Sequence, residues 1–143
     1  MTLLAAMDTS TSGLSSERLR MEIIAQNIAN IETTETNGGG PYRRKVAVFR
    51  EVLQQELEEN NGSSFTGQGV EVAKVVEDNT APIMVYDPQH PDANAEGFVS
   101  KPNINFADEI VDSISASRAY AANVTVLNTT KSLAMKALTI GRG

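Results

Sequence analysis

The chain has 143 residues, 41% of them hydrophobic and 5% aromatic, with no tryptophan or cysteine and a formal charge of −6; that size suits a single domain with extensions. Lack of cysteine removes disulfides, thiolate zinc sites and cysteine nucleophiles. The acidic balance argues against generic binding to nucleic acid or anionic membrane, both of which are held by clustered Lys and Arg.

The charge is uneven. Residues 32–102 carry 12 acids and 6 bases, whereas 1–31 and 103–143 stand at −1 and +1, so the ends are composed for packing. The N-terminal stretch lacks the basic region and continuous apolar run of a secretory signal, and no segment approaches 18 consecutive apolar residues. The chain is expected to be cytoplasmic or to leave by a route without a cleaved signal, and not to insert in a membrane.

Residues 2–31 predict a helix. Met7, Leu14, Met21 and Ile28 recur every seventh residue, with Leu4, Ile24 and Ile31 filling the seam. Ser10 and Glu17 interrupt it, and the polar run 9–13 with its glycine weakens the first third, leaving 14–31 as the firm part. It ends among Asn27, Asn30, Thr33 and Thr34, before a Gly38-Gly39-Gly40-Pro41 hinge.

The middle is a different kind of chain. Val46, Val48 and Val52 alternate in a strand-like stretch over 42–52, with a turn to helix expected over 49–59 and a glycine- and serine-rich loop over 60–69. Residues 70–77 and 83–86 are rich in β-branched side chains and predict short strands. A proline-rich loop then runs from 87 to 102, ending in a brief extended piece at 98–100.

From 105 to 140 no glycine or proline intervenes, and a helix of that extent is about 54 Å long. Asn105 is its expected N-cap, Asp108, Glu109 and Asp112 suit its first turns, and Gly141 follows. Phe106, Ile110, Ile114, Ala121 and Val124 share one face. Val126, Leu133, Ala137 and Ile140 form a stripe half a revolution away, flanked by Leu127, Ala134 and Leu138. One neighbour cannot cover both stripes.

The expected architecture is α+β. Residues 1–36 form an N-terminal helix and hinge, 37–104 a small β-rich insert with loops, and 105–143 a long C-terminal helix, with the terminal helices pairing as a coiled-coil-like hairpin. Neither helix can hide all its apolar surface on the other, so self-association or a preformed array of partners is expected.

Only Asp87-Pro88-Gln89-His90-Pro91-Asp92 resembles a chemical site. One histidine in a proline-fixed loop lacks the converging groups of catalysis or metal binding, and a turn held by aspartate side chains accounts for it better. Arg43-Arg44-Lys45 is too short and too poor in aromatics for a nucleic-acid surface; it suits a solvated strand or a patch meeting the acidic surface of another subunit. Asn27, Asn30, Asn123 and Asn128 place amides where apolar residues would stabilise more. Exposed asparagine is the simpler account, and the alternative, which self-assembly favours, is a register-setting polar residue at a helical interface. No catalytic residue, metal or cofactor is expected.

Five stretches carry a resemblance: Asn-Ile-Ala-Asn at 27–30 with Thr33-Thr34, Gly-Pro-Tyr-Arg-Arg-Lys at 40–45, Val-Tyr-Asp-Pro-Gln-His-Pro-Asp-Ala-Asn-Ala-Glu-Gly-Phe-Val at 85–99, Pro-Asn-Ile-Asn at 102–105, and Ile-Ser-Ala-Ser-Arg-Ala-Tyr-Ala-Ala-Asn-Val-Thr at 114–125. In this order, from about residue 7 to 141, the chain resembles the FlgC family of bacterial flagellar basal-body rod proteins, proximal-rod members of the flagellar axial proteins. It departs at Ala121, where relatives commonly have glutamate, and over 53–66, which match no motif.

The resemblance implies a structural, non-enzymatic subunit exported through the flagellar type III apparatus and polymerised with itself and other rod proteins across the periplasm. Terminal helices would line the drive shaft and the β insert would lie outside. The expected subunit interface comprises Leu14, Met21, Ile24, Asn27, Ile28, Asn30 and Ile31 from the first helix and Arg43, Arg44 and Lys45 from the insert. From the last helix it takes Ile110, Ile114, Arg118, Tyr120, Asn123, Val124, Leu127, Leu133 and Leu138. The rival readings are a soluble helical adaptor or export chaperone, or a metal-dependent enzyme using the His90 loop.

Overall fold

The computed structural model describes residues 3–58 and 62–141, and the side chains of 54–58 and 62–66 fall outside that description. Helix α1 (Leu3–Ala29) is followed by strands β1 (Lys45–Glu58), β2 (Gly62–Glu77), β3 (Ile83–Tyr86) and β4 (Phe98–Lys101), and helix α2 (Phe106–Ile140) closes the order. The fold is α+β: two long terminal helices with a small antiparallel insert made of two two-stranded ribbons, β1–β2 and β3–β4.

Helix α1 runs unbroken through the polar stretch expected to weaken it. Hydroxyls there bond inside the helix: Thr9 Oγ1 donates to Ala5 O at 2.8 Å, Ser10 Oγ to Ala6 O at 2.9 Å and Thr11 Oγ1 to Met7 O at 2.8 Å. Gly13 is buried against α2, where a Cβ would meet Asn123 Nδ2 at 2.9 Å. Its missing side chain is what lets the helices approach, so tertiary contact outweighs its helix propensity.

The C-terminal helix agrees with its end signals. Asn105 Oδ1 accepts from Ala107 N at 3.0 Å, Asp108 and Glu109 occupy the first turn, and Gly141 N donates to Ala137 O at 3.0 Å.

The contacts of Gly13 with Asn123 and of Asn27 with Glu109 fix an antiparallel helix pair. On α2 the inward row is Glu109, Ser113, Ala116, Tyr120, Asn123, Leu127, Thr130 and Ala134; on α1 it is Ser10, Gly13, Glu17, Arg20, Ile24 and Asn27, with Ser16 and Ile23 alongside. Steps of three and four alternate in both rows, the period of a coiled-coil seam. The seam is built mostly from small and polar residues, with Ile24, Tyr120 and Leu127 as its large members. The heptad row Met7, Leu14, Met21 and Ile28 lies on its flank, half-buried, and Ser10, expected to interrupt the seam, belongs to it.

In the insert, the helix expected over 49–59 is strand through Glu58, and the loop expected over 60–69 is strand from Gly62; residues 59–61 lie outside the described residues. The ladder pairs Lys45 with Glu77 and continues to Glu58 with Gly62, interrupted by register shifts at Val48/Phe49 and Val52/Leu53. An exposed ribbon needs no strict apolar alternation, and bulges flip the facing of side chains, so the pattern there could not announce a strand. The hairpin sits on α1: Ser16 Oγ donates to Val70 O at 3.2 Å and Val70 N donates to Ser12 Oγ at 3.1 Å. Gly69 lies at φ +129°, and a Cβ there would fall 2.2 Å from Ser12 Oγ.

The apolar core is small. Among the described residues the buried hydrophobics are Ile23, Ile24, Val99, Ile104 and Ala116.

Candidate assembly interface

Where α1 ends and α2 begins, a polar clasp binds three segments together. Asn27, 1% exposed, satisfies its whole amide. Its Nδ2 donates to Lys45 O at 2.9 Å and to Glu109 Oε2 at 3.1 Å, while its Oδ1 accepts from Lys45 N at 2.9 Å and from Tyr42 OH at 3.1 Å. Glu109, 0% exposed, also accepts from Arg44 Nε at 2.6 Å. Asp112 takes the other arm of Arg44 at 3.3 Å and Arg20 at 3.2 Å. Burial, with the Glu77 and Glu109 carboxylates adding to it, pushes the Tyr42 phenol above its ordinary range. A buried acid with these partners is held in place rather than available for reaction.

The clasp absorbs part of the expected interface. Ile24 and Asn27 are buried within the chain, and Asn123 stands between the chain's own helices against Gly13. Arg44 turns inward to Glu109 and Asp112, and Lys45 lays its ammonium over the Tyr42 ring at 5.7 Å. Arg43 alone of the basic run is exposed, donating to Asn79 Oδ1 at 2.8 Å. Asn30 bonds locally, donating to Gln26 O and accepting from Thr33 Oγ1.

The other expected residues are at least partly open, Tyr120 and Leu127 from within the inward row. Leu14, Met21, Ile28 and Ile31 on the α1 side, and Tyr120, Val124 and Leu127 on α2, are half-buried; Ile110, Ile114, Arg118, Leu133 and Leu138 are exposed. Leu133, Leu138 and Ile140 reach 54%, 66% and 81% exposure. Sequence reasoning left out Val111, Met135 and the whole of β3, all exposed. Their signal was present as large apolar residues in polar surroundings. It also left out Arg20, Tyr42, Glu109 and Asp112 of the clasp, because Glu109 and Asp112 suit a helix N-terminus without any partner.

The His90 loop is a turn closed on itself. His90 Nδ1 accepts from Asp92 N at 3.1 Å, Asp87 Oδ1 from Gln89 N at 3.3 Å, and Asn94 Oδ1 from Glu96 N and Phe98 N, both at 2.9 Å. Among the described residues no group of three or more His, Cys, Asp or Glu is placed to hold a metal ion, and no helix is long and apolar enough to cross a membrane.

Helices that turn mostly small and polar side chains toward each other and many large apolar ones toward solvent define a class of protein, a structural subunit. Two family models match its ends, one for flagella basal body rod proteins over residues 7–35 and one for the C-terminal part of flagellar basal body rod FlgEFG proteins over residues 95–140. The flagellar basal-body rod protein FlgC of Bacillus subtilis (strain 168) is 42% identical over 99% of this chain and 100% of its own length. FlgC of Borreliella burgdorferi is 40% identical over the whole of both, and that of Yersinia enterocolitica 42% identical over 99% and 100%. The chain belongs to the FlgC family of flagellar basal-body rod proteins, and its role is that of a structural subunit of the basal-body rod.

Proposed function

We propose that the chain is a proximal-rod subunit that polymerises through its terminal helices, with copies of itself and with other rod proteins, into part of the shaft that carries torque. The observation that carries this is the inversion of the helix pair: Phe106, Ile110, Val111, Ile114, Val126, Leu133, Met135 and Leu138 lie exposed on α2 while the seam beneath is mostly small and polar. Burying such side chains is worth about 1.5–3 kcal/mol each, and contacts that do not close on themselves build a helical array. The clasp keeps the insert fixed to the helices so that load passes through the subunit.

Export without a cleaved signal, through the flagellar type III apparatus, follows from this reading. So do a non-enzymatic role and the absence of nucleic-acid partners and of membrane insertion. The acidic charge and the self-closed His90 loop support these. The interface proposed is Leu14, Met21, Ile28 and Ile31 with Ile110, Ile114, Arg118, Tyr120, Val124, Leu127, Leu133 and Leu138, and Arg43 at its outer rim. Leu133→Asp tests it: motility and rod assembly are expected to be lost while the β insert stays folded, and normal swimming would overturn the reading.

A further inference from the structure

Ribbon β3–β4 carries apolar side chains that the described residues leave exposed. Its register sets Met84 opposite Ser100 and Tyr86 opposite Phe98, so Met84, Tyr86 and Phe98 share one face, while Val85 and the fully buried Val99 share the other. All three residues of the first face are exposed. Tyr86, at 65% exposure, is nevertheless held: its ring meets Phe98 edge-on at 5.3 Å and lies over Gly97, where a Cβ would come within 2.9 Å of the ring. An aromatic fixed in place but open to solvent loses little freedom when a partner covers it. Asp87 and Glu96 flank the patch, both exposed.

The far end of the molecule has the complementary character. The antiparallel register brings the described start of α1 at Leu3 level with Leu133, so the last turns of α2, after Leu133, lie beyond it. Residues 130–141 contain Lys131 and Lys136 and no acid. Leu133, Lys136 and Ile140, spaced three and four apart, share one helix face. The two patches cannot meet within one chain. The ribbon is tied to the opposite end, by Lys101 Nζ donating to Glu32 Oε2 and Thr34 Oγ1 to Asp92 Oδ2, both at 2.6 Å. About 40 Å of helix separates Phe106 from Leu133.

We propose that the projecting end of α2 in one copy docks on the Met84, Tyr86 and Phe98 face of a second copy, head to tail. Leu133 and Ile140 cover the apolar patch, and Lys136 lies by the Tyr86 ring with Asp87 and Glu96 beside it. A heterologous contact of this kind leaves a free patch at each end and extends into a file of subunits. It rests on the rod-subunit reading and names one contact within it.

Because the chain has no cysteine, disulfide mapping tests the contact directly. Cells producing Met84→Cys and Leu133→Cys chains together are expected to yield basal bodies with a cross-linked dimer under mild oxidation, and neither variant alone is expected to give it. Adding Tyr86→Ala should lower the yield about tenfold, the loss expected of an aromatic anchor, and Tyr86→Phe should keep most of it. Swimming cells whose basal bodies show no cross-link would overturn the docking. The rod-subunit reading would then still stand or fall on Leu133→Asp. If a cysteine variant does not assemble, charge reversal decides: Lys136→Glu should stop swimming and added Asp87→Lys should restore it, whereas failure to restore would overturn the contact.

Discussion

Asn27 shows how one side chain can hold together three segments distant in sequence. Four hydrogen bonds meet its amide, from the backbone of Lys45 on both sides, from Tyr42 and to Glu109. Replacing it with leucine, close in size, leaves those groups unpaired inside the clasp. Asn27→Leu is expected to destabilise the chain by about 2–3 kcal/mol, read as a lower urea midpoint with unchanged helix content in buffer. Tyr42 supplies a pH test. Its folded pKa is raised, so the unfolded phenol ionises first, near its ordinary value of about 10. Its contribution is whole below that pH and is lost as pH climbs from there through the folded value. The urea midpoint should therefore fall above about pH 10, and fall less in Tyr42→Phe.

At the scale of elements, glycines decide how closely the layers sit. Gly13 admits Asn123 between the helices and Gly69 admits Ser12 beneath the hairpin. Gly69→Val adds both a side chain at 2.2 Å from Ser12 Oγ and a β-branched residue at φ +129°. It is expected to cost about 1–3 kcal/mol and to release the hairpin from α1, seen as faster amide exchange over 67–77 with the helix pair intact. Gly13→Leu should separate the helices near Asn123, measured as loss of protection in the first half of α1. The exposed stripes of α2 behave differently. Leu133 is 54% exposed in the free chain, so the cost of Leu133→Asp should appear in assembly and not in the urea midpoint.

For the whole molecule, the small core predicts a split in stability. The clasp and the hairpin-bearing part of α1 should stay ordered in isolation. The end of α2 past Leu133, rich in exposed apolar side chains among the described residues, should fray in dilute solution and become protected on assembly. Helix content by circular dichroism at low concentration is thus expected to fall below that of the described helices. A free chain with both helices fully protected over their length would contradict this.

Local chemistry made much of the fold readable. Asn105, the acids after it and Gly141 bracket α2 through orphan backbone groups that any sequence must satisfy, and β-branched runs marked 70–77 and β3. The same holds for the surplus of apolar residues at both ends, which follows from composition alone. What the helices turn toward each other did not lie in the pattern. Hydrophobic periodicity presumes that the largest apolar residues face inward, and here Ala116, Thr130 and Gly13 do so while Leu133 and Ile114 face out. The outcome rests on close backbone approach at Gly13 and on a clasp joining residues 27, 42, 44 and 109. Such long-range polar pairing has no local signature, because each partner taken singly is an ordinary surface residue. It becomes specific only when the chain brings the partners together.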